Sequence, residues 1–137
     1  MEMCDLVGKT VKEARINDEK DLILLVLLDD SRLYLSAVGD CCSSSWFEHI
    51  GGLEAVIGHE ITEVINREMP ESKESDDYHV TKFYGWTLVT ENGRCDIEMR
   101  NRSNGYYGGW VEVHEQPLTQ YGDVRDDAAT KPLTEDL

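Results

Sequence analysis

Two short segments hold most of the residues in this chain whose types and spacing suit chemistry. The first, Gly39-Asp40-Cys41-Cys42-Ser43-Ser44-Ser45-Trp46, sets two thiols and three hydroxyls ahead of an indole. Ser45 with Glu48 three residues on has the form of a capping box, which predicts a short helix from Ser45 that stops at Gly51-Gly52. A cysteine just ahead of a helix feels the partial positive charge of the unpaired amides, which favours the thiolate and a nucleophilic role. Such a role also needs a base, for which His49, His79 and His114 are the conceivable sources. Zinc is poorly served, because no Cys-x-x-Cys pair is present to give Cys41, Cys42, Cys95 and His49 the spacing of a structural site. No metal and no other cofactor is expected.

The second segment is Arg100-Asn101-Arg102-Ser103-Asn104-Gly105-Tyr106-Tyr107-Gly108-Gly109-Trp110. Arginine forks suit phosphate or carboxylate, tyrosine faces stack on bases, and glycines let a ligand approach the backbone. Neither the Walker spacing nor the dinucleotide fingerprint is present. The expected ligand-binding set is Arg100, Asn101, Arg102, Asn104, Tyr106 and Tyr107, joined by Cys41, Cys42 and Trp46 where the fold brings the two segments together. Trp86 and Trp110 read as packing aromatics, and His59 and His79 as surface or core residues beside strands.

These motifs carry a resemblance. An opening of the Leu-Val-Gly-Lys-Thr type at Leu6 to Thr10, Gly-Asp-Cys-Cys-Ser with a nearby Trp at Gly39 to Trp46, and Arg-Asn-x-Ser-Asn-Gly-Tyr-Tyr-Gly-Gly at Arg100 to Gly109 are together distinctive. Over about residues 6 to 114 the chain resembles a family of uncharacterised proteins encoded by bacteriophages and some bacteria. The resemblance implies a phage setting and no activity.

The elements that must position the two segments are mostly strands. Alternation and turn residues predict strands at Thr10 to Ile16, Leu22 to Leu28 and Leu33 to Val38, the second buried on both faces. Beyond the helix at Ser45, Leu53 to Ile57 suits one more helical turn. Strand patterning resumes at Glu60 to Arg67, and Met69 to Asp77 reads as a loop. Tyr78 to Thr90 alternates clearly, Glu91-Asn92-Gly93 signals a hairpin, and Cys95, Ile97 and Met99 share one face of the returning strand. A Gly-rich loop from Ser103 to Gly109 leads to a last strand, Trp110 to His114. The expected fold is α+β: an antiparallel sheet of about six or seven strands with one short helix inserted after the third. A single domain spans 1–117, and residues 118–137, with five acids and two basic residues, read as an acidic, mobile tail.

Composition narrows the function classes. A net charge of −15 repels nucleic-acid phosphates, so direct nucleic-acid binding is not expected. The longest apolar run, Leu22 to Leu28, is far short of a membrane span, no signal-peptide pattern opens the chain, and four cysteines without framework spacing read as free thiols. The expected location is cytoplasmic, that of a host cell for a phage product. The function expected is a non-catalytic binding protein for a small nucleotide-like ligand, serving to antagonise host defence. The alternatives are an acidic inhibitor or DNA mimic directed at a basic host protein, and a cysteine-dependent hydrolase.

Overall fold

The computed structural model describes residues 1–40, 42–69, 71–73, 79–104, 108–117, 131–135 and 137, the backbone alone at 71–73. After a turn of 3₁₀ helix at Met3–Leu6, the first sheet is assembled from β1 (Val11–Ile16), β2 (Leu22–Leu27) and β3 (Arg32–Gly39). The chain then crosses to the second sheet with β4 (Ser44–Gly51), a single helical turn α1 (Leu53–Val56), β5 (Glu63–Arg67), β6 (Glu71–Lys73), β7 (Val80–Thr90) and β8 (Gly93–Ser103). It returns to the first sheet with β9 (Gly109–His114) and β10 (Lys131–Pro132). The strand orders are β10-β1-β2-β3-β9 and β4-β8-β7-β5, with β6 added against β7, and every pairing between these strands is antiparallel.

The α+β expectation is therefore overturned: the protein is an antiparallel β structure of two sheets, and its only α-helix among the described residues is one turn. The reason lies in β4. Phe47 and Ile50 are three apart, a helical spacing, yet both are buried in a strand. A register shift between Phe47 and His49 in the pairing with β8 inserts the extra residue that turns both side chains inward. Ser45 does not cap a helix; its hydroxyl donates to the Val38 carbonyl at 2.9 Å. Glu48 accepts from the Trp46 indole at 2.5 Å instead of reaching back to an amide.

One core lies between the sheets. Ile23, Leu25, Leu33 and Leu35 from the first sheet meet Phe47, Trp86, Leu88, Ile97 and Met99 from the second. The residues of β2 that alternate with these, Leu22, Leu24 and Val26, gather with Tyr34 in a smaller buried cluster, as a strand apolar on both faces requires. The hairpin forms where Asn-Gly signalled it, with Thr90 paired to Gly93 and Gly93 at φ 131.

At the C-terminal end the chain rejoins the sheet. Lys131–Pro132 pair with β1, Leu133 donates its amide to the Ala14 carbonyl at 3.0 Å and is 6% exposed, and Glu135 accepts from the Gly52 amide at 2.8 Å. These residues belong to the region read as a mobile tail, whose positions 118–130 lie outside the described residues. Among the described residues no helix is long and apolar enough to cross a membrane.

Candidate binding site

Pairing of β4 with β8 brings the two motifs together: Ser44 stands opposite Arg102, Ser45 opposite Asn101 and Trp46 opposite Arg100. Strands β3 and β9 do the same from the other sheet, with Gly39 opposite Gly109 and the Asp40 amide donating to the Gly108 carbonyl at 3.3 Å. At the junction sits Asn101, with 0% of its surface exposed. Its side-chain amide donates to Ser43 Oγ at 3.1 Å and Ser45 Oγ at 2.9 Å. Each hydroxyl passes its own proton on, Ser43 to the Asp40 carbonyl at 2.6 Å and Ser45 to that of Val38. Asn101 Oδ1 meets no hydrogen-bond donor.

This clamp explains the paired glycines. A Cβ on Gly39 would lie 2.6 Å from both Asn101 Nδ2 and Ser43 Oγ, and one on Gly109 would lie 2.8 Å from Ser45 Oγ and 2.9 Å from Met99 Cε. Much of what made the motifs distinctive thus joins one sheet to the other.

The remaining motif residues divide. On one face of the second sheet Trp46, Arg100 and Phe83 stand in a row across β4, β8 and β7. The Arg100 guanidinium lies 4.1 Å from the Phe83 ring centroid and donates to Glu98 Oε1 at 3.0 Å and the Met99 carbonyl at 3.3 Å. Arg100 is thereby held by the protein itself. Arg102 and Asn104 are exposed, Arg102 opposite Ser44 on one side and Thr81 on the other. Cys42 is exposed in a turn at φ 73. Cys41, Tyr106 and Tyr107 lie outside the described residues.

Beside the junction opens a cavity of about 470 Å³, lined in part by Gly39, Ser43, Ser44, Ser45 and Trp46. Its remaining lining includes two carboxylates, Glu19 and Asp21, from the β1–β2 turn. Asn17 fixes them: its side-chain amide donates to Asp21 Oδ1 at 2.6 Å and Glu19 Oε2 at 3.2 Å, while its Oδ1 accepts from the amides of Asp21 and Leu22. The turn is tied to β4 by the Phe47 amide, which donates to the Lys20 carbonyl at 2.7 Å. Sequence reasoning did not find Asn17, Glu19 and Asp21; their only signal is an Asn followed by acids at two and four residues, an ordinary turn composition.

The volume suits a small ligand, and the lining residues are mostly polar, with Trp46 the one aromatic among them. A strand replaces the helix whose N-terminus was to activate Cys41 or Cys42, and burial pushes the Cys95 thiol up to about 12, assisted by Asp96, Glu135 and Glu54. Among the described residues no group of three or more His, Cys, Asp or Glu side chains is placed to hold a metal ion.

Comparison with known proteins gives a viral relative. An uncharacterised protein of Acanthamoeba polyphaga mimivirus is 29% identical over 114 residues, covering 79% of this chain and 89% of that protein. No solved structure matches the chain. A family model spans residues 4–113, from the N-terminal turn through β9 and so across both motifs, and the chain belongs to that family, the domain of unknown function DUF7448.

Proposed function

We propose that this protein is a non-catalytic binding module for a nucleoside-type ligand, held in the cavity beside the Asn101 junction. The observation that carries this reading is that residues of the first motif and the fixed carboxylates of Glu19 and Asp21 wall one ligand-sized space. Carboxylates accept hydrogen bonds from ribose hydroxyls, and an indole face stacks on a base. In this reading Trp46 takes the base, Glu19 and Asp21 take the sugar, and Arg102, opposite Ser44 at the rim, takes a phosphate when one is present. The field of a chain at −15 opposes a phosphate, so a nucleoside binds nearly as well as its monophosphate. The viral relative, and the motif resemblance to phage proteins, support a viral factor that sequesters a nucleotide signal of host defence in the host cytoplasm.

Calorimetry with a panel of nucleosides and nucleotides tests this. Saturable binding that falls roughly tenfold or more in Trp46→Ala, from loss of one base–aromatic stack, is expected. Arg102→Ala weakens only the phosphorylated ligands. Absence of binding across the panel, or equal binding by Trp46→Ala, contradicts the reading.

A second reading rests on the same net charge: an acidic inhibitor that docks on a basic host protein, with fast, salt-sensitive association. A pull-down at low salt that recovers no basic partner counts against it.

A further inference from the structure

A second cavity, of about 530 Å³, lies where the N-terminal turn meets the sheet edges, and it shares no lining residue with the first. Its walls come from Glu2 and Met3 of the turn, Val64 and Asn66 of β5, Trp86 of β7 and Trp110 of β9. The sequence read both tryptophans as packing residues. Trp86 is one, buried at the core, whereas Trp110 is 40% exposed, among the few large apolar side chains left open to water. Its indole is anchored all the same, donating to Glu112 Oε1 at 3.0 Å, and Glu112 is held in turn against His114 Nε2 at 3.0 Å.

The turn is also fixed. The Glu2 amide donates to Asp5 Oδ2 at 2.7 Å, the Asp5 amide to the Glu2 carbonyl at 3.0 Å, and the Val113 amide to the Met1 carbonyl at 3.3 Å. The lining thus includes two tryptophans, Met3 and Cys4, whose Sγ donates to Glu2 Oε2 at 3.9 Å; Glu2 is its one carboxylate, and it has no lysine or arginine.

We propose that this cavity binds the methylated ammonium head of a small organic cation. An indole face carries negative electrostatic potential and attracts a cation, most strongly when the cation is poorly hydrated. A methylated ammonium is that kind of cation: its charge sits beneath methyl groups that also pack on Met3, Val64 and Val111. A simple ammonium needs several acceptors in place of its water, and Glu2 and Asn66 are few for that purpose. The charge of −15 raises the local concentration of any cation near the molecule.

The test titrates choline and tetramethylammonium into the full chain and follows the Trp110 indole and Glu2 amide by NMR. The neutral tert-butyl analogue of choline and a trimethyl-lysine peptide serve as comparison ligands. Saturable shifts at both positions are expected, with the neutral analogue roughly tenfold weaker. Trp110→Ala and Glu2→Gln each weaken the cation, while Trp46→Ala binds it normally, which separates this site from the nucleoside cavity. The proposal is overturned if choline causes no saturable shift into the millimolar range, if the neutral analogue binds equally, or if Trp110→Ala binds unchanged. A trimethyl-lysine peptide that outcompetes both free cations also overturns it, by assigning the site to a protein partner.

Discussion

Asn101 is the residue through which positions almost sixty apart in the chain make contact, and it is itself fully buried while its two hydroxyl partners are half-buried. Asn101→Ala leaves the Ser43 and Ser45 hydroxyls without their buried donor, and a loss of about 2 kcal/mol in urea unfolding is expected. Gly39→Ala drives a methyl into the same clamp and costs about 1–3 kcal/mol in the same unfolding experiment. The alternation that set Cys95, Ile97 and Met99 on one face continues through Asn101 and Ser103, both buried, so the burial of Asn101 was legible in principle. Its polar side chain instead suggested a ligand contact, because a single chain does not show which hydroxyls will face an amide across a sheet. Cys95, on that same face, is protected from a mild thiol reagent in the folded protein, whereas exposed Cys4 and Cys42 react. Intact-mass labelling before and after unfolding checks this.

Among the elements, apolar patterning located β1, β2, β3, β7, β8 and β9 closely: a period of two marks β7 and β8, whereas β2 is a continuous apolar run between turn residues, as a strand buried on both faces gives. It misread β4 because a bulge gives a strand the spacing of a helix, and bulges leave no mark in composition. It also missed β10, whose two residues carry no pattern and whose anchoring comes from Leu133. Leu133→Ala is expected to cost about 2–4 kcal/mol, a size associated with removing a buried leucine side chain, where a mobile tail would register nothing. Thermal or urea unfolding of that variant reads the difference. The cavities were the least legible features, because each is assembled from separate elements: Glu19 and Asp21 with β3 and β4, and the N-terminal turn with β5, β7 and β9.

For the whole molecule, titration sets limits on stability at both ends of the pH scale. Partial burial works to raise the Glu112 pKa, but hydrogen bonds from His114 and Trp110 outweigh it and hold it below the ordinary value. The stabilisation this represents is present above the ordinary carboxylate range and is lost as pH falls through the lowered folded value. Cys95 acts at the other end. Its folded pKa is raised from 9.0 to about 12, so its contribution is complete below the unfolded value and is lost as pH rises across that interval. The stability gap between wild type and Cys95→Ala therefore narrows over that range, measured by urea unfolding at successive pH values. Ligand binding also belongs to this scale, since the proposed site depends on two sheets meeting to form one walled space. Chemical-shift mapping during titration with the tightest nucleoside tests it most directly. Shifts are expected to concentrate at Gly39, Ser43 to Trp46 and Glu19 to Asp21, from both sides of the cavity; shifts confined to one of these segments, located elsewhere, or absent would contradict a shared site.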